Sequence, residues 1–319
     1  MRQVSQVVSD EMAEYRHDAQ VDQLLAWLAA AGASTGRHKP VACVGRDGIT
    51  LRLRMTRGSL YEVASTGTVS VYDRRGIRLG TVYPAYAPAS GQSAMSQALT
   101  AVIRDVLTRW EGPLPRWCDV TDAGDNETGY DDHVLRGMTH PRTGAALAWV
   151  RVVDYYHASE RVWALANVVF GNASRAVRWA KTMRKWFLRP GGGVNRVRHS
   201  ATAFRVARTL TRVQKKEYDR AYAYLRNRMG HLDDARYRRV GVPLGSGVTG
   251  AACKTVFTQR LKLSGMRWTK EGTQTIPNLR VILLSGIWGA VYGRVLAARP
   301  QPIMGGYRAS EPDEIGIAA

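Results

Sequence analysis

Three runs decide the fold: VACVGRDGITLRL at residues 41–53, EVASTGTVSVY at 62–72 and IRLGTVYPAY at 77–86. Each is rich in the β-branched and aromatic residues that suit a pleated surface. Asp47-Gly48 interrupts the first run, and Arg74-Arg75-Gly76 supplies a hairpin turn between the last two. Three adjacent strands of this kind predict an antiparallel meander.

Upstream, residues 1–35 read as helical, with Val21, Leu24, Leu25, Trp27 and Leu28 on one stripe and Gly32–Gly36 ending it. Downstream, Ser93–Trp110 is an amphipathic helix with Ala98, Leu99, Val102, Ile103, Val106 and Leu107 inward. Trp117–Thr121 is a short buried strand that runs into Asp122-Ala123-Gly124-Asp125. A helix over Tyr130–Met138 and a strand over Leu147–Val153, ending in Asp154, follow. Strands that alternate with helices after a meander predict an α/β fold: a mixed sheet flanked by helices.

From Asn172 to Val240 the character changes. This stretch holds 19 Lys and Arg against 4 Asp and Glu, a net of +15, which leaves +5 of the chain's +20 for everything else. Helical periodicity, broken at Pro190-Gly191-Gly192-Gly193, marks it as a basic all-helical insertion. Gly241–Gly247 is then a loop, Val248–Lys262 and Thr275–Ala298 are helices, and the tail frays from Arg299. The expected organisation is therefore a helical segment at 1–35, the first part of the core at 36–171, the insertion at 172–240, the C-terminal helices of the core at 241–300 and a tail at 301–319.

The charge says nothing about fold but much about partners: nucleic acid first, an anionic membrane surface second. Cys43, Cys118 and Cys253 lie far apart, with neither metal-ligand spacing nor the arithmetic of a disulfide framework, which points to a reduced, intracellular chain. The start lacks an apolar signal core, and the longest apolar stretch, Val281–Gly293, is too short to span a bilayer. No membrane insertion is expected.

Three acids stand out by context: Asp47 inside the first strand, and Asp122 and Asp154 at strand ends. Strand ends of an α/β sheet are where functional side chains gather, and carboxylates on neighbouring strands can share divalent metals. A lone strand-end Asp is also an ordinary turn former, and Asp154 with His157 also reads as a helix cap followed by a core histidine. The Gly-Ser-Gly at 245–247 lacks P-loop spacing and also fits a loop capped by Ser246 or Thr249.

The segment Pro243-Leu-Gly-Ser-Gly-Val-Thr-Gly-Ala-Ala-Cys-Lys254, followed by Gln259-Arg260-Leu-Lys-Leu-Ser-Gly-Met-Arg-Trp268, resembles the C-terminal signature of ISKra-type insertion-sequence transposases, P-x-G-S-G-x-x-E-x-A-x-K then R-L-K-x-x-G-M-x-W. Val152-Val-Asp154-Tyr-Tyr-His157-Ala158 is similar to the group's V-D-x-Y-H-A motif and to the Asp-x-x-His signature of the wider Mutator-like superfamily. The stretches around Asp47 and Asp122 match the places of the group's first and second catalytic Asp. The resemblance runs from about residue 36 to 300.

It implies an RNase H-like core with a DDE triad. Two Mg²⁺ or Mn²⁺ ions would drive cleavage and strand transfer on double-stranded DNA, at element ends and at a target, by a homo-oligomer in the bacterial cytoplasm, associated with the nucleoid when bound. Asp47 and Asp122 fall on the metal-binding positions, and Asp154 and His157 join the catalytic centre. The third position, a Glu in the group, is Gly250 here, and Gly cannot ligate a metal. Glu271, the nearest acid downstream, would sit roughly 30 Å further along a continuous helix. The group also carries more sequence upstream, which suggests a shortened N-terminus. Lys254, Arg260, Lys262, Arg267 and Trp268, with Arg184, Lys185, Lys215 and Lys216 of the insertion, are the expected DNA contacts. Trp179, Trp186, Tyr218, Tyr222 and Tyr224 are interleaved with the charges, mostly as helix-packing residues.

Two expectations follow: a DDE transposase weakened at Gly250, and, as the alternative, a catalytically dead DNA-binding protein derived from one. An RNase H-like nuclease with other substrates has only fold analogy behind it.

Overall fold

The structure, a computed structural model, describes residues 2–54, 58–171 and 174–299. The predicted tail at 301–319 and the first two residues of the predicted insertion lie outside the described residues.

Strands β1 (Val41–Arg54), β2 (Ser59–Tyr72) and β3 (Arg78–Val82) form the antiparallel meander. The third predicted run is broken. Pro84 has no N–H to donate, so the ladder stops at Val82 and resumes as the two-residue strand β4 (Ala85–Tyr86) against Ser65 and Thr66 of β2. Strands β5 (Arg116–Thr121) and β6 (Val150–Val153) add in parallel on the other side of β1, giving the order β3-β2-β1-β5-β6. The predicted strand at Leu147–Val153 shortens to its last four residues.

Helices α1 (Arg2–Ala33) and α2 (Gly91–Arg109) cover one face, where Leu24, Leu28, Leu99 and Ile103 pack on Val44, Val69 and Val71. Helix α3 (Asp125–Tyr130) continues as a π-helical turn to Leu135 and starts five residues before the predicted helix, because the loop after β5 winds immediately into it. Helix α4 (Tyr155–Phe170) follows β6 directly.

The insertion is helical throughout its described elements: α5 (Ser174–Phe187), α6 (Gly193–Val206), α7 (Arg212–Asn227) and α8 (Asp234–Arg239), with a single turn at Met229–His231. Its apolar residues Trp179, Phe187, Val197 and Leu225 join Val162 and Leu165 of α4 in one cluster. The basic helices are therefore packed onto the core through α4.

Helix α9 (Gly247–Ala252) runs through a π-helical segment at Cys253–Thr258 into α10 (Gln259–Leu261). The continuous helix predicted over Thr275–Ala298 is two, α11 (Thr275–Leu284) and α12 (Trp288–Ala298), set at 117°. Gly286 at the break has φ +71°, a left-handed conformation that suits glycine. Among the described residues no single helix is long and apolar enough to cross a membrane.

Asp119 of β5 and Asp234 of α8 are fully buried, and neither carboxyl oxygen of either residue has a hydrogen-bond partner. Burial pushes Asp119 up to about 8, reinforced by Asp131 and opposed by Arg151 and Arg46. Burial, then Asp233 and Asp154, pushes Asp234 up to about 7. The folded chain thus keeps a proton on Asp119 that the unfolded chain releases above about pH 4. Stability falls as pH rises from there to about 8. Asp119→Asn is expected to raise the melting temperature more at about pH 9 than at about pH 5, by about 2 °C for each kcal/mol recovered. Calorimetric scans at the two pH values check it, and an equal gain at both would refute the assignment.

Candidate functional site

Parallel register sets the site. Val44 pairs with Asp119, and three residues further along both strands bring Asp47 level with Asp122. Thr121 pairs with Val153, so the next residues, Asp122 and Asp154, are level as well. The three acids form one row across the sheet: Asp47 lies midway along β1, and Asp122 and Asp154 lie just beyond the C-terminal ends of β5 and β6, the edge where α/β sheets place ligands.

Their environments separate their roles. Asp154 is buried, and both of its oxygens are committed. Oδ1 accepts from the Tyr156 and His157 N–H groups at 2.6 and 3.3 Å and caps α4, while Oδ2 accepts from the Ser246 N–H at 2.6 Å and from the Ser246 hydroxyl. It holds structure together and has no oxygen left over for a metal. His157 is half-buried, with Nδ1 3.4 Å from Glu160, and it faces the same cavity as Asp122.

Asp47 and Asp122 are half-buried. Burial raises the Asp47 carboxyl. The Gly48 N–H and the Cys253 thiol pull it down, and the charge of Asp122 pushes it up again. The two carboxylates therefore feel one another. Glu127, on α3, belongs with them: burial raises it first, then the charges of Asp122 and Asp47, against a downward pull from Arg46. A Cβ placed on Gly124 would lie 2.5 Å from Glu127 Oε2 and 3.5 Å from Asp122 Oδ1, so both carboxylates line the same small space. Nothing in the sequence pattern marks Glu127. It is brought in by the turn that starts α3 early.

Helix α9 reaches the site because Gly45 has no side chain. A Cβ there would sit 2.2 Å from Thr249 Oγ1, which hydrogen-bonds Thr68 Oγ1 at 2.7 Å. The next residue of the helix is Gly250. Its own helix aside, the only atom of the described residues within 4 Å of a Cβ built there is Asp47 Oδ2, at 4.0 Å. The position expected to carry a carboxylate thus faces Asp47 across open space.

The turn after Asp122 is strained. Ala123 has φ +57°, the only positive φ among the described non-glycine residues; such backbone costs of order 1 kcal/mol or more and persists only where its surroundings impose it. The insertion imposes it here. The Tyr224 hydroxyl donates to the Asp122 carbonyl at 2.9 Å, and Arg228 Nε donates to the Ala123 carbonyl at 3.2 Å. The Arg228 guanidinium lies 4.2 Å from the Tyr224 ring centre and that of Arg161 lies 5.0 Å from it.

Hard oxygen donors of this kind suit Mg²⁺ or Mn²⁺, which need few protein ligands and keep several waters. Among the described residues, however, no group of three or more His, Cys, Asp or Glu side chains is placed to hold a metal ion. Asp47 and Asp122 supply hard oxygen donors here, and position 250 carries no side-chain donor. The side chain of Glu271 lies outside the described residues.

The expected DNA contacts are dispersed. Lys254, Arg260, Lys262 and Arg267 are exposed along the π-helical segment, α10 and the loop after it. Trp268 is half-buried against the Leu51, Leu53 and Phe257 cluster, and its backbone carbonyl accepts from the Arg54 N–H. Lys185, Lys215 and Lys216 are exposed, whereas Arg184 is half-buried, 5.6 Å from the Tyr155 ring centre. Among the described residues, no ion pair involves a Lys or Arg of residues 174–240. Of the aromatics, Trp179 is buried and donates to Ser200, Tyr218 and Tyr222 stack, and Trp186 carries Arg189 and Arg196 close to its ring. These are packing roles.

A scan against protein-family models finds no match, and no curated protein sequence matches the chain.

Gly45→Ala is expected to destabilise the chain by about 1–3 kcal/mol, because its Cβ overlaps Thr249. Pairing it with Thr249→Ala removes the obstructing hydroxyl and methyl. Urea denaturation of the single and double variants tests this, and a strictly additive double variant would contradict the close approach.

Proposed function

We propose that the chain is a DNA-binding protein of DDE-transposase descent, with an RNase H-like core and a phosphoryl-transfer centre one carboxylate short. The observation that carries the reading is Gly250 facing Asp47 Oδ2 across open space, in the place where the ISKra-type signature has Glu. The meander followed by two parallel strands supports the RNase H-like part. The unpaired charge of the insertion supports DNA as partner. Fixed Lys and Arg that neutralise phosphates release counterions, so affinity should fall steeply with salt.

In this reading Asp47 and Asp122 hold a hydrated divalent ion, which when bound supplies Lewis-acid activation of a water or DNA 3′-hydroxyl for in-line attack on a phosphodiester. The Asp122–Gly124 turn, held by Tyr224 and Arg228, fixes one ligand. The Asp154–Ser246 bonds and the Thr249–Thr68 bond fix the helix that faces the other. With Gly at position 250 the centre binds DNA and turns over weakly or not at all.

Glu127 favours a second reading. Its carboxylate shares a space with that of Asp122, and if it completes the ligand set the chain is an active transposase as it stands.

Nicking of supercoiled DNA in Mg²⁺ or Mn²⁺ separates the two. The first reading expects an inert wild-type chain that binds duplex at low salt, gain of nicking in Gly250→Glu, and its loss again when Asp122→Asn is added. The second expects nicking by the wild-type chain that Glu127→Gln abolishes. An inert Gly250→Glu variant that still binds DNA would sink the first. Because Asp47 and Glu127 are both raised and metal binding needs them ionised, nicking by whichever form is active should increase as pH rises through the weakly acidic range.

A further inference from the structure

Between α4, α7 and the strained turn lies a cavity of about 370 Å³, with Asp122 on one wall and Arg161, Arg220, Asn227 and Arg228 on the others. It lies within the size range of small-ligand sites and is far larger than a lone phosphate needs. Three guanidinium groups face one carboxylate, so the cavity favours an anion.

Two of these arginines have nothing else to do. Among the described residues Arg161 makes no hydrogen bond or ion pair; its Nε is buried without a partner, and its guanidinium lies 5.0 Å from the Tyr224 ring centre. Arg220 is exposed on α7 with no hydrogen bond or ion pair. Arg228 is different, since it is fixed on the Ala123 carbonyl and on Tyr224. A buried guanidinium donor without an acceptor is costly, and a phosphate oxygen is the acceptor its planar fork matches. Asn227 adds an amide whose NH2 can donate and whose Oδ1, which already accepts from Arg226 Nε at 3.2 Å, keeps a second lone pair, which suits a base edge.

We propose that this cavity seats one unpaired nucleotide of a DNA strand, its phosphate on Arg161 and Arg220 and its base toward Asn227. The proposal rests on the DNA-processing reading above and deepens it, by giving the insertion a nucleotide-holding role beside Asp122. A base pair is too large for the space, so the nucleotide enters unstacked from its partner. The placement is consistent with the fold: the cavity opens at the C-terminal edge of the parallel strands, beside the unpaired charge of α7.

Deoxyadenosine 5′-monophosphate is the probe, followed by ligand-observed NMR on the full chain. It is expected to bind, and deoxyadenosine, which lacks the phosphate, to bind about tenfold more weakly. Arg161→Ala and Arg220→Ala should each weaken the nucleotide by about tenfold, while Arg104→Ala, exposed on α2, changes little. Single-stranded oligo(dT) should displace the nucleotide. Absence of nucleotide binding, or binding indifferent to both arginine substitutions, overturns the proposal, and failure of oligo(dT) to compete overturns the assignment to a DNA strand. Duplex binding in the same buffer keeps the two levels apart. If duplex binds and the nucleotide does not, the pocket assignment falls and the DNA reading stands; if only the nucleotide binds, the DNA reading falls.

Discussion

The carboxylate of Asp154 holds the acidic edge of this sheet together. One oxygen satisfies two of the orphan N–H groups at the start of α4, and the other holds the backbone and hydroxyl of Ser246 just before α9. A buried carboxylate is costly unless it is fully hydrogen-bonded, and this one is. Ser246 lies 92 positions beyond Asp154, so the carboxylate joins the end of β6 to the last part of the core across the whole insertion. Gly245, immediately before Ser246, has to be small for the same reason: a Cβ there would strike the Tyr156 ring at 2.8 Å. Once α9 is held there, the Gly45 gap and the Thr249–Thr68 bond decide how close it lies to β1, and Gly250 comes to face Asp47.

Much of the sheet was legible in the sequence because period-two patterning and turn residues are local signals. The first two strand runs and the amphipathic helix at 93–110 fall within a few residues of β1, β2 and α2. Asp47 and Asp122 could be singled out because they punctuate otherwise apolar strands. What escaped was tertiary. Glu127 has no periodic signature and reaches the site only because the chain winds into α3 directly after Gly124. The split of the C-terminal helix turns on the single left-handed residue Gly286, and an isolated glycine in an apolar run is a weak signal. Tyr224 and Arg228 read as helix packing and basic surface, yet they hold the carbonyls of Asp122 and Ala123, about a hundred residues earlier in the chain.

The last of these bears on how the two halves of the molecule depend on each other. An insertion that only added positive charge could be attached through any apolar face, and its removal would leave the carboxylates where they are. Here Tyr224 of α7 and Arg228 just after it donate into the turn that carries Asp122, and that turn contains the one left-handed alanine among the described residues. A left-handed alanine relaxes when its supports go. The geometry of Asp122 is therefore conditional on α7 being packed against α4, through the cluster around Val162, Leu165 and Leu225. The charge carried by α7 and the carboxylate of Asp122 are parts of one mechanical unit. Anything that shifts α7 by an ångström shifts both.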